Sequence, residues 1–437
     1  MRVLTWRLVT RRLLLPNTAA SAVLLLLGPA LALLLWPRSQ AQGLARLFHQ
    51  SQLIQSFAAA PTRPPPPLWR QRLGPLAAVL WSRQQGVWWQ FWGVHGDAGA
   101  FLVLPSTSLS DVVGDRLPVP PLRVDDLAVV AADPLSRQWL SDRLRSVPRS
   151  PRGLEQRCLL QLRQPQTVSW SPAGLGALAG PVAPLLQRFQ QGCLTLNLQG
   201  QRVDLGGEAA AAVGVLGPAS QSRPEPASRP LTPGQLLELR GPALEVLLQG
   251  LLSRQLVREP LASRYGIAEP QLALLRRSPF VLRLRELPQG PFQAGLELDL
   301  APPARDRQAW ERLLAALRQP LLQQGLQEQG AIPLRTRWRD EQGRVVGGWF
   351  WQPPQGGEER RLVLFVGPEP ATGSAPPAPS GWVVLQARPG DLDRLGLWPG
   401  AFPPLVRRAD QLEIKADAER RQPISRLTGR LALTRSR

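Results

Sequence analysis

The sequence predicts an α+β protein in which an N-terminal transmembrane helix is followed by two related domains with antiparallel sheets and packed helices. Three observations support this fold class: an uncharged apolar run near the N-terminus, strand-like segments interspersed with helical ones, and a 17-residue stretch that recurs 220 residues later. The chain has 437 residues, 43% of them hydrophobic, so it is long enough to bury two cores.

The apolar run extends from residue 13 to residue 37 and contains no charged side chain. At about 1.5 Å of rise per residue, a helix of this length exceeds the roughly 30 Å hydrocarbon layer of a membrane. More arginines precede the run than follow it closely, which predicts a single-pass protein with a cytoplasmic N-terminus and an extracytoplasmic body. The alternative is a cleaved signal peptide, with a cleavage site at 39–41.

Proline-rich stretches at 61–67 and 217–235 break the remainder of the chain into segments. The predicted division is 1–12 as a cytoplasmic basic flank, 13–37 as the transmembrane anchor, 38–67 as a stalk helix and Pro-rich linker, 68–216 as the first α+β domain, 217–235 as a Pro-rich linker, and 236–437 as a helical connector and second α+β domain.

Local patterns predict the individual elements from periodicity and turn residues. In the first part of the chain they are a helix at 43–60, three strands within 76–105, a strand at 127–132, a helix from Asp133 to about 146, a strand at 158–163 and a hairpin at 192–210. In the second part they are a helix at 236–259, strands at 281–287, 292–300, 334–340, 345–351, 362–366 and 382–387, and a helix at 306–319.

The internal repeat relates residues 175–191 to residues 395–411 without gaps, and seven of the 17 aligned positions are identical. A predicted strand precedes each copy and another follows it. Two Pro- and Leu-rich stretches can also match by chance, so coincidence is the alternative to duplication.

The formal net charge is +20, from 52 basic and 32 acidic residues. Lys415 is the only lysine, and Arg, Pro, Gly, Ala and Leu abound, which is typical of a GC-rich genome. The excess charge reflects a shortage of acids, because the arginines are spread singly or in pairs. An arginine-rich, solvated surface therefore accounts for the charge, and a nucleic-acid partner is not predicted.

No catalytic, cofactor-binding or metal-ligating residue is predicted, and the predicted cofactors are none. The chain has no phosphate loop, and its two histidines, His49 and His95, are interpreted as surface residues. The glycines at 174–180 resemble a dinucleotide loop, but the second repeat copy does not keep the spacing. The acid pairs at 125–126 and 391/393 are interpreted as caps or solvated charges rather than as a hydrolytic pair.

The densest aromatic group is Trp81, Trp88, Trp89, Phe91 and Trp92. Alternation along the strand places Trp88 and Trp92 on one face and Trp89 and Phe91 on the other. One face must be core, and the other is either a binding surface or a second packed face.

Two cysteines, Cys158 and Cys193, lie in the first predicted domain. On the far side of a bacterial membrane they could form a disulfide, and the alternative is two independent buried thiols.

Three short stretches carry a resemblance: YGI at 265–267, LLRRS at 274–278 and RLTGRL at 426–431. With the apolar run, they resemble predicted single-pass membrane-anchored proteins of unknown function from GC-rich marine cyanobacteria. The resemblance implies an envelope or thylakoid location and no particular activity.

The predicted function is a membrane-anchored extracytoplasmic binding or scaffold protein without catalytic activity. Its predicted partners are the lipid bilayer and a protein or envelope polymer. The alternative is a hydrolase acting on an envelope polymer.

Overall fold

The computed structural model describes residues 40–93, 99–109, 117–146, 148–218, 224–252, 254–289, 292–330, 334–353, 360–370, 381–397, 404–418 and 422–433. Within these ranges no helix has both the length and the apolar character needed to cross a membrane. The predicted fold class is corrected accordingly: this part of the chain is a mixed helix-and-sheet protein without a membrane-spanning helix. The anchor predicted at 13–37 lies outside the described residues.

The strands of the described chain form one 18-stranded sheet instead of the separate sheets expected for two domains. In chain order they are β1 Ser51–Ala58, β2 Val87–Gly93, β3 Phe101–Pro105, β4 Leu122–Val124, β5 Leu127–Val130, β6 Thr167–Trp170, β7 Gln191–Gln199, β8 Arg202–Ala210, β9 Gln235–Gly241, β10 Phe280–Glu286, β11 Ala294–Leu300, β12 Gln327–Gln329, β13 Arg335–Arg339, β14 Val345–Gln352, β15 Arg361–Val366, β16 Trp382–Ala387, β17 Ala409–Asp417 and β18 Ile424–Leu433.

Every pair of neighbouring strands is antiparallel, so hairpins and helical connections suffice to join them. The spatial order across the sheet is β4-β5-β3-β2-β1-β6-β7-β8-β18-β17-β16-β9-β10-β11-β15-β14-β13-β12. We call residues 40–218 the first half and residues 224–433 the second half. The halves meet where β8 pairs with β18.

The α-helices are α1 Leu44–Gln50, α2 Pro67–Leu73, α3 Ala77–Arg83, α4 Pro134–Arg143, α5 Leu154–Gln161, α6 Pro172–Ala179, α7 Glu245–Leu252, α8 Gln255–Tyr265, α9 Glu269–Arg277, α10 Arg307–Gln323, α11 Pro389–Arg394 and α12 Pro404–Arg407. The predicted cap of α4 is present, since the Asp133 carboxylate accepts a hydrogen bond from the Ser136 backbone N–H at 2.8 Å.

The central strands of the two halves follow the same order. From the junction outward, β8-β7-β6-β1-β2-β3 in the first half corresponds to β18-β17-β16-β9-β10-β11 in the second. Each repeat copy connects two antiparallel strands. In the strands that flank the first copy, Trp170 lies opposite Gly192, and in those that flank the second copy Ala387 lies opposite Leu412. Trp170 and Ala387 are 217 positions apart in the sequence, whereas Gly192 and Leu412 are 220 positions apart. The second copy therefore has three more residues between its flanking strands than the first.

Helices cover the sheet on both faces of the first half. On the face that we call face A, α2 and α3 bury Trp88, Leu102 and Leu104. On the opposite side, face B, helices α1 and α4 pack with Trp89 and Phe91. In the second half, α7 to α10 cover face A, where Trp310 is the largest fully buried side chain.

Four predicted elements differ from the structure. The first of the three strands predicted within 76–105 is the helix α3, Ala77–Arg83. The predicted helix at 43–60 is α1 followed by β1, which pairs with both β2 and β6 and so belongs to the sheet instead of a stalk. The predicted helix at 236–259 begins as β9, which pairs with β10 and β16. The predicted strand at 158–163 is largely α5. In each strand, pairing with distant residues outweighs the helical spacing of its apolar side chains.

Candidate functional site

The aromatic residues predicted as a candidate binding surface are packed in the two cores of the first half. Trp81 and Trp88 are buried on face A, and their rings contact each other edge-on. Trp89 and Phe91 are buried on face B, where the Trp89 indole N–H donates to the Leu162 carbonyl at 2.7 Å. Trp92 is half-buried. The structure thus matches the packing alternative, in which both faces of this strand are core.

The two cysteines are joined as a disulfide, with their Cα atoms 5.4 Å apart. Cys158 lies on α5 and Cys193 on β7, so the bond ties a face B helix to the sheet. Leu154, Ala210 and Ile424 bury this link.

The remaining predicted chemical groups do not assemble a catalytic site. His49 contacts the Arg149 carbonyl at 3.0 Å on the surface, and His95 lies outside the described residues. Asp125 accepts from the Gly43 backbone N–H at 2.5 Å. The pair at 391/393 contacts arginines at 3.5 and 3.4 Å. Throughout the described chain, no group of three or more His, Cys, Asp or Glu side chains could hold a metal ion.

The most concentrated polar group lies on face B of the second half. It is centred on five side chains that stand directly opposite one another on five adjacent strands, in the order Glu413, Gln386, Glu238, Arg283 and Glu297. The Arg283 guanidinium bridges the two carboxylates beside it, with its Nε 3.0 Å from Glu238 and its Nη1 2.7 Å from Glu297. Only 3% of the Arg283 side chain is exposed.

A second register of charges flanks the first. Arg240 follows Glu238 on β9 and contacts it at 3.2 Å, and Arg361 contacts the fully buried Asp299 at 3.0 Å. Lys415 lies 3.7 Å from Glu413. We call these nine residues the ionic row: Gln386, Glu413, Glu238, Arg283, Glu297, Arg240, Asp299, Arg361 and Lys415. It contains four carboxylates and four cations, so its charges balance.

A cavity of about 190 Å³ adjoins the ionic row beneath the segment 228–231, and we call it the linker pocket. Its polar lining is Ser228, Arg229, Gln386, Gln411, Glu413 and Arg430. The Ser228 hydroxyl donates to the Glu413 carboxylate at 2.7 Å and accepts from the Lys415 ammonium at 3.0 Å. The hydroxyl therefore fastens the predicted interdomain linker to the sheet, and it also places a serine beside a carboxylate and an amine.

A second concavity lies on the outer surface of α7, α8 and α9. Two openings of about 550 and 460 Å³ share Arg258 and Glu269 in their linings. Glu269 contacts Arg258 at 3.1 Å and Arg276 at 2.6 Å, so its carboxylate is neutralised by two guanidiniums. The central carboxylate of the groove is therefore paired within its own surface.

The sequence analysis missed the ionic row, although the sequence contains a signal for it. Charged and aliphatic residues alternate in β9, β10, β11 and β17, as in LELR at 237–240 and LRLRE at 282–286. Such alternation is typical of strands with one apolar face and one polar face. A solvated surface would give the same pattern, so burial of the charges could not be inferred.

Comparison of the chain with protein-family models, with curated proteins and with solved structures finds no match. The ionic row and the linker pocket are therefore the features of the molecule that bear on its function.

Proposed function

We propose that the protein is a binding or scaffold protein without catalytic activity. The observation that carries the proposal is the pairing of charges within the largely buried ionic row. Its carboxylates are held by guanidiniums or an ammonium, as with Glu238 and Glu297 around Arg283. Glu238 and Glu297 are also buried beside this guanidinium, so a substrate has little access to them as a general acid or base. The row is thus suited to holding the sheet in one register.

We further propose that the body functions in an oxidising compartment outside the cytoplasm. The disulfide between Cys158 and Cys193 supports this, because such bonds persist mainly in extracytoplasmic proteins. Thiol labelling of denatured, unreduced protein taken directly from cells checks the location. We expect neither cysteine to react before reduction. Complete labelling of both before reduction would contradict the proposal.

The linker pocket favours one other candidate, a hydrolase acting on an envelope polymer. Ser228 lies within hydrogen-bond distance of both Glu413 and Lys415, an arrangement that could activate a nucleophile. In that mechanism the Ser228 oxygen would attack a carbonyl carbon, and its proton would pass through Glu413 to the alcohol or amine that leaves as the carbonyl–heteroatom bond breaks. Water would then hydrolyse the acyl-serine ester, which frees the acid and restores the Ser228 hydroxyl.

Two measurements on the full-length protein separate these functions. We expect a fluorophosphonate probe to leave Ser228 unlabelled in mass spectrometry. We also expect the protein to co-sediment with insoluble cell-wall polymer without releasing soluble fragments, and the Ser228→Ala variant to sediment equally. Labelling of Ser228, with fragment release that Ser228→Ala abolishes, would establish the hydrolase in place of the scaffold.

A further inference from the structure

Arg229 differs from the arginines of the ionic row because it has no acidic partner. It makes no hydrogen bond or ion pair with the described part of the chain. Its position is nevertheless constrained, since the adjacent Ser228 bonds to both Glu413 and Lys415. The cation is therefore held beside the sheet by its neighbours and not by a carboxylate of its own.

Arg240 adds a second under-compensated cation next to it. Its side chain is 5% exposed, and its carboxylate contact is Glu238, which Arg283 shares. Its Nη2 has no hydrogen-bond acceptor in the described chain. The pKa of Arg240 is lowered, chiefly by burial; Glu238 raises it, the positive charges of Arg229 and Arg283 lower it again, and Glu413 raises it slightly. Arg229 thus lies within electrostatic range of a buried cation whose donors are only partly satisfied.

The linker pocket provides a space for the missing negative charge. Arg229 and Arg430 both line it, and its volume of about 190 Å³ matches about six water molecules at roughly 30 Å³ each. Glu413 also lines the pocket, but its carboxylate already accepts from Ser228 at 2.7 Å and from Gln386 at 3.2 Å. An anion in the pocket would meet a carboxylate whose oxygens already accept hydrogen bonds and whose charge is offset by the Lys415 ammonium 3.7 Å away.

We propose that the linker pocket binds a small oxyanion, a phosphate or a carboxylate, through the guanidiniums of Arg229 and Arg430. Each guanidinium offers a planar pair of N–H donors that matches the oxygens of either anion. The bound charge would offset the repulsion between Arg229 and Arg240. This site does not depend on the scaffold role, because an enzyme or a binding protein could use it equally.

The single lysine of the chain gives a specific probe of this pocket. Full-length protein made with ¹³C at the lysine ε position has one labelled side chain, Lys415, whose ammonium lies 3.0 Å from Ser228. Phosphate is titrated at constant ionic strength, with acetate and chloride in parallel. We expect the Lys415 signal to shift and saturate with phosphate or acetate but not with chloride. The more tightly bound of the two anions identifies the ligand class.

Two variants distinguish the pocket from the general positive charge of the surface. Arg229→Gln should raise the anion concentration needed for half-saturation about tenfold or more. Arg145→Gln removes an exposed arginine that pairs with Asp142 elsewhere, and it should leave the titration unchanged. A shift that fails to saturate with either anion, or a titration that Arg229→Gln leaves unchanged, would overturn the proposal.

Discussion

Face B of the sheet has opposite character in the two halves, although corresponding side chains occupy the same register. In the first half the opposed residues on five strands are Cys193, Ser169, Ile54, Phe91 and Phe101. In the second half the corresponding positions are Glu413, Gln386, Glu238, Arg283 and Glu297. The first set is mostly apolar and the second almost entirely charged, and both are largely buried.

The difference follows from what crosses each face. In the first half, 36 residues connect β5 to β6 and include α4 and α5. The disulfide joins α5 to the sheet. In the second half, 15 residues connect β15 to β16, which is too short for two such helices. On face B of the second half the buried charges instead satisfy one another, as Arg283 does with Glu238 and Glu297. One strand order therefore accommodates an apolar core or an ionic one.

The largest predicted effect comes from removing the central cation of the ionic row. Arg283→Leu leaves Glu238 and Glu297 without their shared guanidinium in a buried site. We expect a loss of about 3–5 kcal/mol in the free energy of unfolding, because the uncompensated charges remain desolvated. Denaturant unfolding measures it. Arg145→Leu on the surface should change stability by about 0.5 kcal/mol or less. A loss below about 1 kcal/mol for Arg283→Leu would show that the row adds little.

The corresponding apolar position provides the matched test. Phe91 is fully buried and stacks on Phe101, with ring centroids 4.7 Å apart. Phe91→Ala should cost about 3–5 kcal/mol, through lost burial and the cavity left behind. The same denaturant experiment compares it with Arg283→Leu. Equal losses would mean that apolar and ionic packing support the sheet equally, and a near-neutral Phe91→Ala would contradict the apolar core.

Removing the disulfide should loosen the cover of the first half. Cys158→Ala combined with Cys193→Ala opens a loop whose ends are 35 residues apart. Loop-closure entropy predicts a loss of about 3–4 kcal/mol. Thermal or denaturant unfolding of the double variant, next to wild-type protein with and without reductant, checks this. Reduced wild type should match the variant. If unreduced wild type already matches it, the bond contributes no stability.

The smallest effect concerns pH and the outer strands of the second half. Burial alone would raise the pKa of Glu369, but hydrogen bonds from Arg335 and Arg337 outweigh it and hold that pKa below its usual value. A carboxyl group whose pKa is lowered by folding stabilises the fold at pH values above its unfolded-state pKa of about 4.3. That stabilisation is lost as the pH falls through the folded-state pKa.

Glu369→Gln should therefore cost about 0.5–1 kcal/mol near neutral pH, since the arginines are partly exposed. The difference from wild type should shrink below about pH 4. Unfolding curves between pH 3 and 7, chosen to bracket the usual Glu pKa of about 4.3, measure it. A difference that grows on acidification would contradict the assigned sign.

Local patterns predicted most strands of the second half and the hairpin of β7 and β8. The predicted strand at 382–387 coincides with β16, and Asp133 caps α4 as its sequence context indicates. These features depend on residues within one turn or one strand. By contrast, the sequence predicts helices at β1 and β9; in β1, for example, Ile54 and Phe57 also fit a helical period. Their strand conformation depends on partners that the local pattern does not reveal.

The candidate site shows the same limit. The sequence predicts a candidate binding surface at the tryptophans, of which Trp81, Trp88 and Trp89 are buried in the core. It does not predict the contact between Ser228 and Lys415, which are 187 residues apart in the chain. Lys415 was identified as the only lysine, but its neighbours could not be known. Contacts between a linker and a strand so far apart arise only when both are placed by the sheet.

The sequence by itself determined the turn and cap positions, the alternation of the paired strands and the shortage of acids behind the +20 charge. The tertiary structure decided that β8 joins β18, that face B carries an ionic row in one half, and that the linker lies over that row. The physical reason is the range of the forces involved. Turns and caps are set by neighbouring residues, whereas strand pairing and charge burial depend on partners distant in sequence.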